Sequence, residues 1–199
     1  IQDASDKIRS LGFFSEVNIT TREGSTREQV IIDVKLTEKA TGSLGLGAGY
    51  NSSDGSVFTF NINERNFLGR GQTVDLALSS SSVERQMTLG LEDPSFLGRN
   101  LLLGISFGRK TSTPYAVPLT VENSFFAPKI QFPLSGNSKL TIIYRFDEDK
   151  TKLSSSSSVT SPLISSDIGE KAKSGAIFSY DLNKTNSITR PTAGFKFQL

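Results

Sequence analysis

The side chains that most often do chemistry are either missing from this sequence or placed without partners. It contains no Cys and no His. Thiolate zinc sites, disulfide frameworks, cysteine nucleophiles and the Ser-His-Asp constellation are therefore all excluded. Carboxylate-only or Ser-Lys chemistry survives in principle, yet no spacing nominates a pair. The serine run at 154–158 reads as a solvated loop rather than a nucleophile, because Ser-rich segments are flexible. "GLGAGY" at 45–50 has the composition of a phosphate-binding loop, but its glycines recur at every second residue and no helix follows. Asp75, Glu92, Asp93 and Arg145 read as solvated or inward-facing charges of a sheet. The expectation is a protein that is not an enzyme and needs no cofactor or metal.

The most distinctive words lie elsewhere. Phe-Leu-Gly-Arg occurs at 67–70 and again at 96–99, each time between an acidic residue and an alternating apolar run. By itself this reads as a hairpin turn used twice, with a packed Phe, as any all-β protein could have.

The surrounding chain supplies the context. Residues 1–12 set Ile1, Ala4, Ile8 and Leu11 at helical spacing and end on Gly12, which predicts a short amphipathic helix. Alternating runs at 15–23 and 28–38, separated by "GSTR", predict two strands, so residues 1–39 form a small α+β unit. From Ala40 onward there are only strand-length alternating runs: 41–51, 56–64, 72–80, 85–93, 99–109, 124–132, 139–147 and 174–182, with the start of a ninth at 194–199. Period two over about ten residues is the strand signature. One face is apolar and the other is rich in Gly, Ser, Thr and Asn. Net charge is only +2, from 22 basic and 20 acidic residues, so the chain lacks the electrostatic footprint of a nucleic-acid partner. No apolar run approaches the ~20 residues of a transmembrane helix, and no signal peptide is visible. The first and last residues read as cut from a longer chain.

Connection lengths separate a soluble sandwich from a membrane barrel. The joints "NFLGRGQ", "SFLGRN", "PLSGN" and "TRPTAG" follow the second, fourth, sixth and eighth runs, and all are short or built on Gly and Pro. The alternate joints are "SSDG", "SSSSVE", a loop at 110–123 and a longer one at 150–173. In a meander, alternate joints share one end of the sheet. Tight turns at one end and lengthening loops at the other are what an outer-membrane barrel shows, with short periplasmic turns. The repeated phrase then marks successive turns at the same end. Phe67 and Phe96 sit at the membrane boundary on this reading, where aromatics form a girdle, while Gly69, Gly71 and Gly98 supply positive φ or close approach. Leu68, Leu97, Pro191 and Gly194 complete the candidate periplasmic turns.

The ordered series of motifs resembles the BamA family of bacterial outer-membrane barrel-assembly proteins, within the superfamily that also holds two-partner-secretion transporters. "IRSLGFFSEVNIT" (8–20) and "VIIDVKLTEK" (30–39) are similar to the end of a POTRA domain. "TGSLGLGAGYNSSDG" (41–55) is similar to the first barrel strand and hairpin, followed by the turns at "NFLGRGQ", "LEDPSFLGRN" and "RPTAGF". The resemblance implies a mainly β fold: the C-terminal part of a POTRA domain (1–39), then an antiparallel meander forming the N-terminal half of a transmembrane β-barrel (40–199). It also implies residence in the bacterial outer membrane with the POTRA part in the periplasm. The implied partners are unfolded outer-membrane protein clients, accessory lipoproteins and outer-membrane lipids, with no nucleic acid. The implied activity is insertion of client barrels through a lateral gate at the first barrel strand. Leu44, Gly45, Leu46, Gly47, Ala48, Gly49 and Tyr50 are the candidate gate edge, because small residues weaken side-chain pairing and leave backbone groups free for β-augmentation. Departures from the family are a partial POTRA unit, about half of the expected strands and no closing strand, so this piece is expected not to close the family's barrel. A polypeptide transporter of the same superfamily and a soluble β-sandwich binding module are the rival readings.

Overall fold

The computed structural model describes residues 2–26, 29–115, 118–154, 168–186 and 191–199. Ile1 of the expected helix, Arg27 of the first turn, serines 155–158 and Arg190 lie outside the described residues. The chain divides into two compact units, residues 1–42 and 43–199.

In the first unit, helix α1 (Gln2–Ser10) is followed by an antiparallel pair, β1 (Phe14–Glu23) and β2 (Val30–Glu38). Gly12 ends the helix at φ 73°, a conformation that costs glycine nothing, and its N–H donates to the Arg9 carbonyl at 3.0 Å. The helix packs on β1 and buries Val17, and the Arg9 guanidinium donates to the Val17 carbonyl at 3.3 Å. On β2, Val30, Ile32, Val34 and Leu36 stay exposed.

The second unit is one nine-stranded sheet in plain meander order, with neighbours in sequence always neighbours in space. Its strands are β3 (Gly42–Asn51), β4 (Gly55–Phe67), β5 (Gln72–Ser80), β6 (Glu84–Asp93), β7 (Leu102–Ser112), β8 (Leu119–Ser135), β9 (Ser138–Leu153), β10 (Gly169–Asn183) and β11 (Lys196–Gln198). Every pairing with a determined register is antiparallel. Directly paired residues share a face, so the register assembles an apolar row such as Leu76, Leu89, Phe107, Phe126 and Phe146 across five strands. Within that row the Phe107 and Phe126 rings lie 5.0 Å apart. Among the described residues of this unit there is no second sheet to cover this face. Among the described residues only Val17 and Ala127 are buried apolar side chains, while Leu46, Phe58 and Phe178 are each at least 60% exposed. A soluble sandwich would bury these positions between two sheets. β3 and β11 form the two edges of an open sheet.

The strands outrun the apolar alternation at one end. β8, β9 and β10 are 17, 16 and 15 residues long, so the loops read at 110–123 and 150–173 narrow to connections at 113–118 and 154–168. Hydrophobic periodicity stops near Phe126 and Phe146, where the same face turns to Glu122, Lys150, Lys152 and Glu170. The ladder continues, held on that face by Arg109–Glu122 at 2.7 Å, Lys152–Glu122 at 3.1 Å and a Lys150–Glu170 pair.

Candidate functional site

Strand β3 carries the candidate gate residues Leu44 to Tyr50, and all ten of its residues are exposed. It borders the sheet, with β4 as its one strand neighbour among the described residues. Leu44, Leu46, Ala48 and Tyr50 lie on one face, and Gly45, Gly47 and Gly49 alternate on the other. Packing asks for glycine at only one of these three. A Cβ at Gly47 would press on the Thr59 hydroxyl, whereas at Gly45 it would make ordinary contacts with Asn61, and at Gly49 it would meet nothing within 4 Å. The spare space at Gly45 and Gly49 means that the β3–β4 packing does not explain the repeated absence of side chains.

The repeated phrase builds the same turn twice. In the β4–β5 connection, the Gly69 N–H donates to the Asn66 carbonyl at 2.9 Å and the Arg70 N–H to Phe67 at 3.2 Å. In the β6–β7 connection the equivalent bonds are Gly98 to Ser95 at 2.8 Å and Arg99 to Phe96 at 3.1 Å. Leu68 and Gly69 have φ of 55° and 71°, and Leu97 and Gly98 have 54° and 69°. Two consecutive left-handed residues make a type I′ turn, whose twist matches that of the flanking strands. Such turns favour Asn, Asp or Gly at the first left-handed position, so leucine there is strained. Both leucines are also about three-quarters exposed, at 74% and 78%. Sequence reasoning assigned the positive φ to the glycines and missed it in the leucines, because no local signal marks a leucine for that region. Acidic residues brace each turn: Glu64 accepts from the Asn66 N–H at 2.8 Å, and Asp93 from the Ser95 N–H at 2.9 Å and the Gln72 amide at 2.9 Å. Pro191 and Gly194 lie in the β10–β11 connection, where Gly194 has φ 106° and an added Cβ would overlap the Lys184 carbonyl.

The polar face of the sheet is densely paired. Lys129 on β8 reaches Glu92 on β6 across Gly104 of the intervening strand, and a Cβ at Gly104 would press on both side chains. Asp75 accepts from Asn63. The Phe125 ring lies over Gly108, where a Cβ would overlap it, and the Arg145 guanidinium carbon sits 4.0 Å from the ring centroid. Arg145 donates twice to Asp147, at 2.8 and 2.9 Å. Asn123 donates to Asp149 at 2.6 Å, and Lys173 pairs with Asp149 at 2.8 Å. Glycine, ring, guanidinium and carboxylate thus stack across β7, β8 and β9. Of the charges singled out from the sequence, Asp75, Glu92 and Arg145 belong to this paired wall and Asp93 to a turn. Gly108, Phe125 and Asp147 were invisible beforehand because their meeting depends on register. Among the described residues no cluster of three or more acidic side chains is placed to hold a metal ion.

A single antiparallel meander with one apolar face, one ion-paired polar face and strained tight turns at one end is a sheet of the kind that builds barrel walls. Residues 66–199 match the Omp85 superfamily domain, and the chain belongs to that superfamily. Over 115 residues it is 29% identical to the outer membrane protein assembly factor BamA of Neisseria meningitidis serogroup B (strain ATCC BAA-335 / MC58), covering 57% of this chain and 14% of that protein. Against BamA of Neorickettsia risticii (strain Illinois) it is 24% identical over 196 residues, covering 98% of this chain and 26% of that protein. The crystal structure of BamA from Haemophilus ducreyi lacking POTRA domains 1-3 shares its fold, with a TM-score of 0.67 and 21% identity over 99% of this chain and 40% of that one. The chain therefore spans no more than about a quarter of the length of these two curated relatives.

Proposed function

We propose that this chain is part of an outer-membrane protein assembly factor. Residues 43–199 form a membrane-spanning section of barrel wall, with the apolar face toward lipid and the paired polar face toward the lumen, and residues 1–42 belong to a POTRA-type unit in the periplasm. The protein works without catalytic chemistry, by offering the β3 edge to the strands of unfolded outer-membrane clients. Accessory lipoproteins and outer-membrane lipids are its other partners. One observation carries the gate reading: the glycines of β3 leave its edge without side-chain interlock even where there is room for it. An edge strand presents a row of unpaired N–H and C=O groups, and an incoming strand can pair with them.

The test uses the full-length protein, reconstituted in lipid vesicles, with Gly45→Val and Gly49→Val combined. At both sites an added Cβ meets nothing closer than 3.7 Å. The barrel is expected to keep its heat-modifiable gel migration while client insertion falls severalfold. Unchanged insertion would end the gate reading, and a parent protein that stays soluble and monomeric without detergent would end the membrane reading as well.

A further inference from the structure

The two FLG turns do more than reverse the chain. Phe67 pairs in register with Gln72, two residues before Val74, so its ring returns to the apolar face of the sheet. Phe96, one hairpin further on, borders the same end of the face. Together with Val74, Leu91, Leu103 and Ile105 the two rings line a concavity of about 350 Å³ at the turn end of that face. Each turn then continues into an exposed arginine, Arg70 or Arg99, and neither makes an ion pair or side-chain hydrogen bond among the described residues. The acidic groups beside them are engaged elsewhere: Asp93 holds Gln72 and the Ser95 N–H, and Glu64 holds the Asn66 N–H. The turns are two strand spacings apart, about 10 Å, so two arginine side chains can converge on one group between them.

We infer that this end of the apolar face is a seat for one anionic phospholipid of the leaflet at the short-turn side. An acyl chain occupies the concavity between Phe67 and Phe96, and the phosphate lies between Arg70 and Arg99. The inference rests on the membrane-spanning reading above and adds a particular lipid and place to it. Chemistry favours a lipid over a protein segment because the same two turns supply a mainly apolar slot and, just beyond it, guanidinium groups that make no ion pair among the described residues. That is the polarity sequence of a phospholipid crossing from acyl chain to headgroup. The strained, exposed Leu68 and Leu97 follow Phe67 and Phe96 as the apolar tips of the two turns, where asparagine would relieve strain but wet the boundary.

The experiment is native mass spectrometry of the full-length protein released from vesicles of phosphatidylcholine, with and without phosphatidylglycerol. The unmodified protein is expected to retain one phosphatidylglycerol in preference to phosphatidylcholine. Arg70→Gln with Arg99→Gln should lower that preference about tenfold, the scale expected for losing charge-assisted hydrogen bonds to a phosphate. Leu91→Trp, which fills the slot, should reduce retention of both lipids, while vesicle flotation and heat-modifiable migration report that each variant is inserted. Equal retention of the two lipids by an inserted, unmodified protein would overturn the seat and leave the membrane reading intact. Failure to float with vesicles would overturn both. A photo-crosslinking residue in place of Leu97 that captures polypeptide in preference to lipid would reassign the slot to a protein partner and also overturn the proposal.

Discussion

Leucine pays about 1–2 kcal/mol to occupy the left-handed region, where Asn is better tolerated. Finding it at equivalent positions of two turns, φ 55° at Leu68 and 54° at Leu97, makes an accident of one turn a poor account. Leu97→Asn is therefore expected to raise the unfolding free energy of the full-length protein in detergent by about 1 kcal/mol, read from the urea midpoint. Gly98→Ala, at φ 69°, should lower it by a similar amount. If both substitutions destabilised equally, the turn would not be the strained I′ type described. The stack at Gly108 offers a second check at this scale. Gly108→Ala places a Cβ inside the Phe125 ring volume and should destabilise by about 1–3 kcal/mol, as overpacking does. Much of that loss should return in Gly108→Ala with Phe125→Leu, measured as a double-mutant cycle.

At the scale of elements, β3 and the β7–β9 region sit at opposite extremes. β3 is exposed along its whole length, with three glycines on one face, whereas β7, β8 and β9 are tied by interlocking charges, a covered ring and a phenylalanine pair. An edge meant to exchange partners belongs in the first environment, and a wall meant to stay fixed belongs in the second. The ends of β8 and β9 are intermediate, since their ladder continues past the apolar band on exposed ion pairs centred on Glu122. Glu122→Gln should speed amide hydrogen exchange at residues 120–124 while leaving 126–132 unchanged. Faster exchange over both stretches would mean that the ion pairs support the whole strand.

At the scale of the whole molecule, it is informative that only Val17 and Ala127 are buried apolar side chains among the described residues of this 199-residue chain. A soluble domain of this size is stabilised chiefly by apolar burial. Here one face of the sheet instead carries an apolar band bounded at one end by ion pairs, and the other face pairs its charges within the protein, which suits hydrocarbon on one side and water on the other. The full-length protein is expected to fractionate with the outer membrane and to change gel mobility on boiling. Unchanged mobility together with recovery in the soluble fraction would refute this.

How much of this was legible beforehand follows from how far each signal reaches along the chain. Period-two alternation placed every strand of the sheet, because facing is a local property, and 72–80 matches β5 to the residue. The spacing of the FLG phrases also placed the two turns at one end, since a meander puts alternate joints together. Alternation failed at the ends of β8 to β10, where the face changes polarity while the hydrogen-bonded ladder runs on. It also missed the left-handed leucines, the Gly108–Phe125–Arg145–Asp147 stack and the slot shared by Phe67 and Phe96. The sequence by itself determined the elements, their order and their two faces, because those depend on residues a few positions apart. Only the tertiary structure decided which distant side chains meet, because that depends on strand register, and a one-residue slip would turn every side chain to the other face.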